Sequence, residues 1–239
     1  MNIAIIFAGG TGQRMNTKAV PKQFLKLHGK PILVYTLQQF QQHEKIDGIV
    51  LVVLSDWITY CEKLIAEYHL TKVSAIVPGG QTGQESIYNG VLKASELYPS
   101  DSVVLVHDGV RPIIDEQTIS NNIACVKKNG TAITVAPAIE TIVLKGTSNE
   151  VDNILERSRC QLAKAPQSFI LSSLLDAHIH ARKEGLGDFI DSACLMRHYG
   201  YKLYTIEGKT ENIKITTPSD FYTFRALEDA LENSQIMGL

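Results

Sequence analysis

The chain lacks any long apolar run and any strong excess of one charge. No apolar run approaches the ~18 residues that span a bilayer, and the first residues, 1–7, carry no basic segment of the kind that opens a secretion signal. A formal net charge of -2 disfavours binding to nucleic acid or to an anionic membrane, since both favour a strongly basic surface. We therefore expect a soluble, cytoplasmic protein with no nucleic-acid or membrane partner. Any nucleotide that binds to it would be a mononucleotide rather than a nucleic acid.

Cysteines are few, the seven histidines are scattered along the chain, and neither residue type shows a spacing typical of metal ligands. The four cysteines, at positions 61, 125, 160 and 194, form no C-x-x-C pair, so we expect buried, reduced thiols. His178 and His180 stand two residues apart, a spacing that places them on different faces of a helix. We expect both to be surface residues rather than ligands.

The most informative stretch is the start of the chain, where an apolar strand runs into a glycine-rich loop. Residues 3–7 form a continuous apolar run, which is typical of a buried parallel strand. The loop contains Gly9, Gly10 and Gly12, which let a phosphate approach backbone N–H groups, and Arg14, which supplies positive charge. A phosphate-binding turn after the first strand is where open α/β sheets bind ligands.

Two familiar phosphate-binding loops do not fit this spacing. A P-loop requires a lysine followed by Ser or Thr at a fixed offset, and this segment has no such pair. The dinucleotide fingerprint G-x-G-x-x-G matches G-T-G at 10–12, but Met15 takes the place of its third glycine. A dehydrogenase, which would bind NAD, is thus a disfavoured alternative.

Apolar runs alternate with helical periodicities along the chain, which predicts an α/β fold. We expect a doubly wound, mostly parallel Rossmann-like sheet with right-handed crossovers, in one domain spanning 1–239. Between 131 and 170 β-rich segments follow one another without a clear helix, and we interpret this region as a β-arm inserted at about 138–165. The expected strands are 3–7, 49–54, 73–77, 102–107 and 202–207; the expected helices are 31–42, 57–68, 82–97, 172–183, 189–199 and 218–233.

A carboxylate follows the fourth expected strand. Asp108 stands just past the strand expected at 102–107, so we expect it at the same edge of the sheet as the glycine loop. A carboxylate there can bind Mg²⁺, which commonly uses one or two carboxylates together with phosphate oxygens. Arg111, three residues later, could reach a phosphate or hold the loop.

Three segments carry a resemblance to a known family. The sequence A-G-G-T-G-Q-R-M, followed by Pro21-Lys22-Gln23, resembles the opening signature of the sugar nucleotidyltransferases. The segments 79–87 (G-G-Q-T-G-Q-E-S-I) and 211–218 (E-N-I-K-I-T-T-P) extend the match to the isoprenoid and teichoic-acid cytidylyltransferases. The resemblance covers about residues 3–225 and implies a nucleotidyltransferase fold, Mg²⁺ as cofactor, and transfer of CMP from CTP to a polyol phosphate with release of pyrophosphate.

The resemblance also implies roles for individual residues. The implied phosphate-binding and catalytic cations are Arg14, Lys22, Lys214 and Arg157. The implied CTP-binding residues are Ala8, Gly9, Gly10, Gly12, Gly80, Gln81 and Ser86. The implied acceptor-binding residues are Asp108, Arg111, Thr141 and Arg157, with Asp108 also the metal ligand. Arg159 and Lys164 are alternatives to Arg157 as the cation that binds the acceptor phosphate.

The chain departs from the family pattern at two places. Gly83 stands where the family usually has an arginine, so one cation on the CTP side is missing. The sequences Ile139-Glu140-Thr141 and His107-Asp108-Gly109-Val110 look more like the ribitol-5-phosphate enzymes than the methylerythritol-phosphate enzymes. This favours D-ribitol 5-phosphate as acceptor and CDP-ribitol as product.

Two other functions stay open. The first is cytidylyl transfer to 2-C-methyl-D-erythritol 4-phosphate, since both acceptors are small phosphorylated polyols whose recognition depends on a few contacts. The second is an inactive nucleotide-binding regulatory module, because a fold does not prove an activity. The β-arm suggests a homodimer in which the arm of one subunit approaches the site of the other.

Overall fold

The computed structural model describes residues 1–10 and 20–237, with side chains described up to residue 233. Its centre is a seven-stranded sheet in the order β11-β7-β10-β6-β1-β4-β5. Strands β1, β4, β5 and β6 run parallel to one another, β11 is parallel to β7, and β10 is antiparallel to both β6 and β7. The sheet strands are β1 (Asn2–Ala8), β4 (Gly48–Val53), β5 (Val73–Pro78), β6 (Val103–Asp108), β7 (Thr131–Pro137), β10 (Gln161–Ile170) and β11 (Thr205–Glu207). The expected mostly parallel α/β fold is confirmed.

Helices cover both faces of the sheet, as a doubly wound fold requires. The side chains of β1 alternate between two cores: Ala4 and Ile6 pack with one, Ile3 and Ile5 with the other. The first core includes α1 (Ile32–Gln42), α2 (Ile58–Glu67) and α4 (Glu116–Asn129); the second includes α3 (Gly83–Leu97), α5 (Leu171–Lys183) and α6 (Ser192–His198). Since both faces of the central strands are buried, their sequences are continuous apolar runs rather than alternating ones.

Two small two-stranded sheets lie outside the main sheet. The hairpin of β2 (Lys26–Leu27) and β3 (Lys30–Pro31) precedes α1. The strands β8 (Val143–Lys145) and β9 (Val151–Ile154) pair with each other between β7 and β10, in the region expected to form an arm. The last helix is α7 (Pro218–Met237). None of the described helices is long and apolar enough to cross a membrane.

Helix α4 is not among the helices expected from the sequence. Its inward residues Ile119, Ile123 and Val126 have helical spacing, but the rest of the segment is polar, so the apolar signal is weak. The helix is delimited by local signals instead. The Asp115 carboxylate accepts a hydrogen bond from the Thr118 N–H at 2.7 Å, and Gly130 ends the helix with φ of 83°.

Two expectations about burial are wrong in part. His180 is exposed, but the side chain of His178 is buried at 1% exposure, because α5 packs against α3 with this face inward. The four cysteines are free, yet only Cys61 is buried; Cys125 and Cys160 are half-buried and Cys194 is exposed.

Candidate functional site

The carboxyl ends of four parallel strands meet at one edge of the sheet. In the strand register, Phe7 pairs with Asp108, Ala8 with Val53, and Val53 with Pro78. The loops that leave these ends surround a cleft of about 760 Å³, which we call the large cleft. Its lining includes Ala8, Gly9, Gly10, Lys22, Gly80, Gln81 and Ser86, all residues expected to bind CTP or its phosphates.

The glycines of the large cleft allow two loops to approach each other closely. A Cβ on Gly80 would lie 2.2 Å from Cγ of Glu85, and a Cβ on Gly9 would lie 3.1 Å from Oγ of Ser86. The Ser86 hydroxyl accepts a hydrogen bond from the Gly80 N–H at 3.0 Å and donates one to the Thr82 carbonyl at 2.9 Å. Ser86 therefore shapes the loop and retains one lone pair for a ligand.

Two residues of the large cleft were not singled out from the sequence as site residues. The buried Gln23 amide donates a hydrogen bond to the Ala8 carbonyl at 2.6 Å, which braces the glycine-rich loop. Trp57 stacks on Phe24 with ring centroids 4.4 Å apart and also lines the cleft. An aromatic face in a nucleotide cleft can stack on a base. Gly12 and Arg14, which were expected to bind phosphate, lie outside the described residues.

Asp108 is held by two cations at the end of β6. Its Oδ2 accepts a hydrogen bond from Nε of Arg111 at 2.8 Å, and its Oδ1 lies 2.6 Å from Nζ of Lys214. Burial alone would raise the pKa of this carboxyl, but the charges and hydrogen bonds of Lys214 and Arg111 outweigh it and lower the pKa to about 2. Asp108 is therefore ionised at neutral pH.

Arg111 is in turn held by groups that the sequence analysis did not select. One of its Nη atoms donates to the Asn212 carbonyl at 2.9 Å. Nε2 of His107 lies 3.1 Å from the Arg111 carbonyl. Burial lowers the pKa of His107 to about 4, so its ring is neutral and this nitrogen carries the proton that it donates. Neutral His107 fixes the Arg111 backbone without adding charge.

A second pocket of about 260 Å³ adjoins the large cleft, and we call it the small pocket. Both cavities are lined by Phe7, Gly83, Asp108 and Lys214, so they meet at the ion cluster. A Cβ built on Gly83 would meet no atom of another described part of the chain within 4 Å. The glycine that replaces the family arginine thus leaves the junction between the two cavities open.

Lys164 adds a third cation to the small pocket. Its Nζ donates to the carbonyls of Thr210 and Asn212 at 2.8 Å and 3.2 Å. Burial and the charge of Arg111 lower the pKa of this ammonium below its usual value. Of the three residues considered for the acceptor phosphate, Lys164 alone lines this pocket, while Arg157 and Arg159 are exposed on the segment after β9.

Two arm residues that were expected to bind the acceptor lie apart from both cavities. Thr141 and Arg157 are exposed, and neither lines the large cleft or the small pocket of its own chain. Arg157 donates a hydrogen bond to the Ile139 carbonyl at 3.2 Å. The structure therefore brings together Lys22, Asp108, Arg111 and Lys214, but not the two residues of the arm.

One further group of described residues has the composition of a metal site. His28, Asp229 and Glu232 offer ligand atoms within 4.8 Å of one another. His28 and Asp229 already form a hydrogen bond of 2.9 Å with each other. The group is largely exposed and lines neither cavity, so Asp108 is the candidate ligand in the site.

Comparison with known proteins gives matches over nearly the whole chain. The family model for 2-C-methyl-D-erythritol 4-phosphate cytidylyltransferase matches residues 2–228. A ribitol-5-phosphate cytidylyltransferase of Streptococcus agalactiae serotype III is 52% identical over 239 residues, covering 100% of both chains. A 2-C-methyl-D-erythritol 4-phosphate cytidylyltransferase of Clostridium botulinum is 40% identical over 219 residues, covering 92% of this chain and 93% of that one.

Solved structures agree with these matches. The 4-diphosphocytidyl-2C-methyl-D-erythritol synthase of Anaerococcus prevotii superposes with a TM-score of 0.82 at 26% identity, over 95% of this chain and 96% of that one. The resemblance that the three sequence segments carried is confirmed.

Proposed function

Because the chain belongs to the family of 2-C-methyl-D-erythritol 4-phosphate cytidylyltransferases, we propose that it transfers CMP from CTP to D-ribitol 5-phosphate, which forms CDP-ribitol and releases pyrophosphate. The observation that carries this proposal is the junction of the large cleft and the small pocket at Asp108 and Lys214. A nucleotide in the cleft and a phosphorylated polyol in the pocket would place their phosphates at this ion cluster.

The relatives favour ribitol phosphate as the acceptor. Identity to the Streptococcus agalactiae ribitol-5-phosphate enzyme exceeds identity to the Clostridium botulinum methylerythritol-phosphate enzyme. The sequence around Ile139 on the arm and around Val110 in the large cleft is similar to that of the ribitol-5-phosphate enzymes, which also favours this acceptor. Both acceptors carry one phosphate, so charge alone does not separate them.

The reaction needs charge stabilisation rather than a protein nucleophile. A phosphate oxygen of the acceptor, anionic at neutral pH, attacks the α-phosphorus of CTP, so no general base is required. The bond from that phosphorus to the bridging oxygen of the pyrophosphate breaks, and pyrophosphate leaves with the electron pair. Negative charge increases on the nonbridging and leaving oxygens, which preorganised cations stabilise.

Lys214 and Lys22 are the cations that we assign to this task, together with Arg14. Lys214 is oriented before substrate binds, since its Nζ lies 2.6 Å from Asp108. Lys22 lines the large cleft beside the glycine-rich loop. Arg111 and Lys164 line the small pocket and would bind the acceptor phosphate.

Enzymes of this family generally depend on a divalent cation. Asp108 fits as its protein ligand, because the carboxylate is ionised and each oxygen retains a lone pair beyond its contact with Arg111 or Lys214. One carboxylate plus phosphate oxygens is a common ligand set for Mg²⁺. When bound, Mg²⁺ would neutralise charge on the phosphates of CTP.

We also propose a homodimer that forms through the arm. The arm exposes apolar side chains that a partner would cover: Ile139 at 69%, Val151 at 56% and Ile154 at 62%. Thr141 and Arg157 lie on this arm and line neither cavity of their own chain. Contact with the acceptor phosphate would follow if the arm enters the site of a second copy.

The activity is tested by pyrophosphate release with CTP and Mg²⁺, comparing ribitol 5-phosphate with methylerythritol 4-phosphate. We expect a preference for ribitol 5-phosphate of at least ~100-fold in kcat/KM. The opposite preference would make the protein a methylerythritol-phosphate enzyme. No release with either acceptor would favour an inactive nucleotide-binding module.

The shared site is tested by mixing two inactive variants, Lys214→Ala and Arg157→Ala. If the arm acts in the partner's site, a mixed dimer combines one intact cation cluster with one intact arm. Random mixing would then restore about a quarter of the wild-type activity. In the control, each variant is mixed with itself under the same conditions. If the mixture of the two variants is no more active than these controls, the proposal that the arm acts in the site of the other subunit is refuted.

A further inference from the structure

Two polar side chains of the small pocket have no hydrogen-bond partner among the described residues. Both ring nitrogens of His178 and the Oγ of Ser192 are buried without a partner in the described part of the protein. Of the seven such side-chain atoms there, three belong to these two residues. His178 and Ser192 are 1% and 2% exposed, and both line the small pocket.

Other uncharged or acidic groups in this pocket are already engaged. The Gln84 amide binds the Leu186 carbonyl at 3.1 Å and the Phe189 N–H at 3.0 Å. The Gln167 amide binds Asp191 and the Ala193 N–H at 2.9 Å and 2.8 Å. These contacts fix the loop before α6 and the start of α6.

The scaffold therefore holds Ser192 in place while leaving its hydroxyl unused. A buried polar group without a partner destabilises the folded protein because it has lost its hydrogen bonds to water, and most buried polar groups in native proteins have a partner. The cost is recovered when a ligand forms the missing hydrogen bonds.

The chemistry of His178 indicates what kind of group it binds. The pKa of this imidazole is lowered to about 4, mainly by burial and secondly by the nearby charge of Arg182. The ring is therefore neutral at pH 7. A neutral imidazole has one N–H donor and one acceptor nitrogen. An alcohol hydroxyl, which donates and accepts, matches both, whereas a phosphate oxygen only accepts.

The small pocket thus has two chemically different parts. Arg111, Lys164 and Lys214 supply positive charge, whereas His178 and Ser192 supply neutral hydrogen-bonding groups on α5 and α6. A ligand with an anionic phosphate at one end and neutral hydroxyls along the rest of its length is complementary to both.

We propose that His178 and Ser192 recognise the hydroxyl groups of the polyol chain and so determine which phosphorylated polyol the enzyme accepts. This inference rests on the proposed cytidylyl transfer to ribitol 5-phosphate. It assigns specificity to two residues outside the charged cluster.

The test compares ribitol 5-phosphate with glycerol 3-phosphate, a shorter acceptor with fewer hydroxyls. We expect His178→Phe and Ser192→Ala to lower kcat/KM for ribitol 5-phosphate by about 10-fold each, the effect of one or two lost hydrogen bonds. The value for glycerol 3-phosphate and the KM for CTP should change by less than about 3-fold. His178→Gln, which keeps a donor and an acceptor, should recover part of the loss.

The matched control is Ser102→Ala. Ser102 is also fully buried, and its hydroxyl has no partner within residues 1–10 and 20–233, but it lines neither cavity. Its loss should therefore leave selectivity unchanged. If His178→Phe and Ser192→Ala both leave the ratio of kcat/KM for the two acceptors unchanged while CTP binding is intact, the role of these two residues is refuted. The proposed cytidylyl transfer would still stand. A wild-type enzyme that releases no pyrophosphate with ribitol 5-phosphate would instead refute the proposed function.

Discussion

Buried His178 makes the stability of the protein depend on pH in a defined way. Its pKa in the folded state is lowered to about 4 from an ordinary value of 6.5, chiefly by burial and further by Arg182. Between these two values the unfolded chain binds a proton that the folded chain does not, so stability falls as pH decreases. At pH 5 the linkage relation gives a loss of about 2 kcal/mol from this one histidine, and almost none at pH 7.5.

His178→Leu removes this titration. Urea unfolding followed by circular dichroism at pH 7.5 and pH 5 gives the free energy of unfolding at both values for wild type and variant. We expect the loss between the two pH values to be smaller in the variant by about 2 kcal/mol. Because each protein is compared with itself, any change in stability that the substitution causes at pH 7.5 cancels.

Leu174→Ala provides the matched control on the same helix. Leu174 is fully buried and does not titrate, so its truncation should cost about 2–5 kcal/mol equally at both pH values. If the free energy of unfolding of His178→Leu falls between pH 7.5 and pH 5 by as much as that of wild type, the imidazole of His178 is not buried and neutral in the folded protein.

Further predictions concern the large cleft. Lys22→Ala and Lys214→Ala should each lower kcat/KM for pyrophosphate release by at least ~100-fold; losses below about tenfold in both would place the catalytic cations elsewhere. Gly80→Ala should raise the KM for CTP by about tenfold or more and destabilise the protein by about 1–3 kcal/mol, because the new Cβ would lie 2.2 Å from Cγ of Glu85. Gly187→Ala, which meets no described atom within 4 Å, is its control, and equal effects of the two would contradict this steric argument.

Much of the sheet could be predicted because its signals are local. The apolar run at 3–7 lies within β1 (Asn2–Ala8), and the helix expected at 82–97 begins after its cap Thr82. Where the local signal was weak the prediction failed: α4 was missed, and the strand expected at 202–207 is limited to Thr205–Glu207. Short elements at the rim depend on pairing with neighbours more than on their own composition.

The glycine-rich loop could also be predicted from the sequence, because the spacing of the glycines at the end of a parallel strand is enough to indicate a phosphate site. Ala8, Gly9, Gly10, Lys22 and Gly80 do line one cleft. Their roles in binding CTP stay predictions.

The sequence by itself determined most of the succession of strands and helices along the chain, though not α4, together with the glycine-rich loop and the position of Asp108 at a strand end, because local spacing encodes these features. Only the tertiary structure decided that Arg111 reaches the Asn212 carbonyl across 101 residues of chain, that Lys214 pairs with Asp108, and that His178 faces inward. Contacts between distant segments, and the burial that shifts a pKa, arise from packing, and no local pattern in the sequence records them.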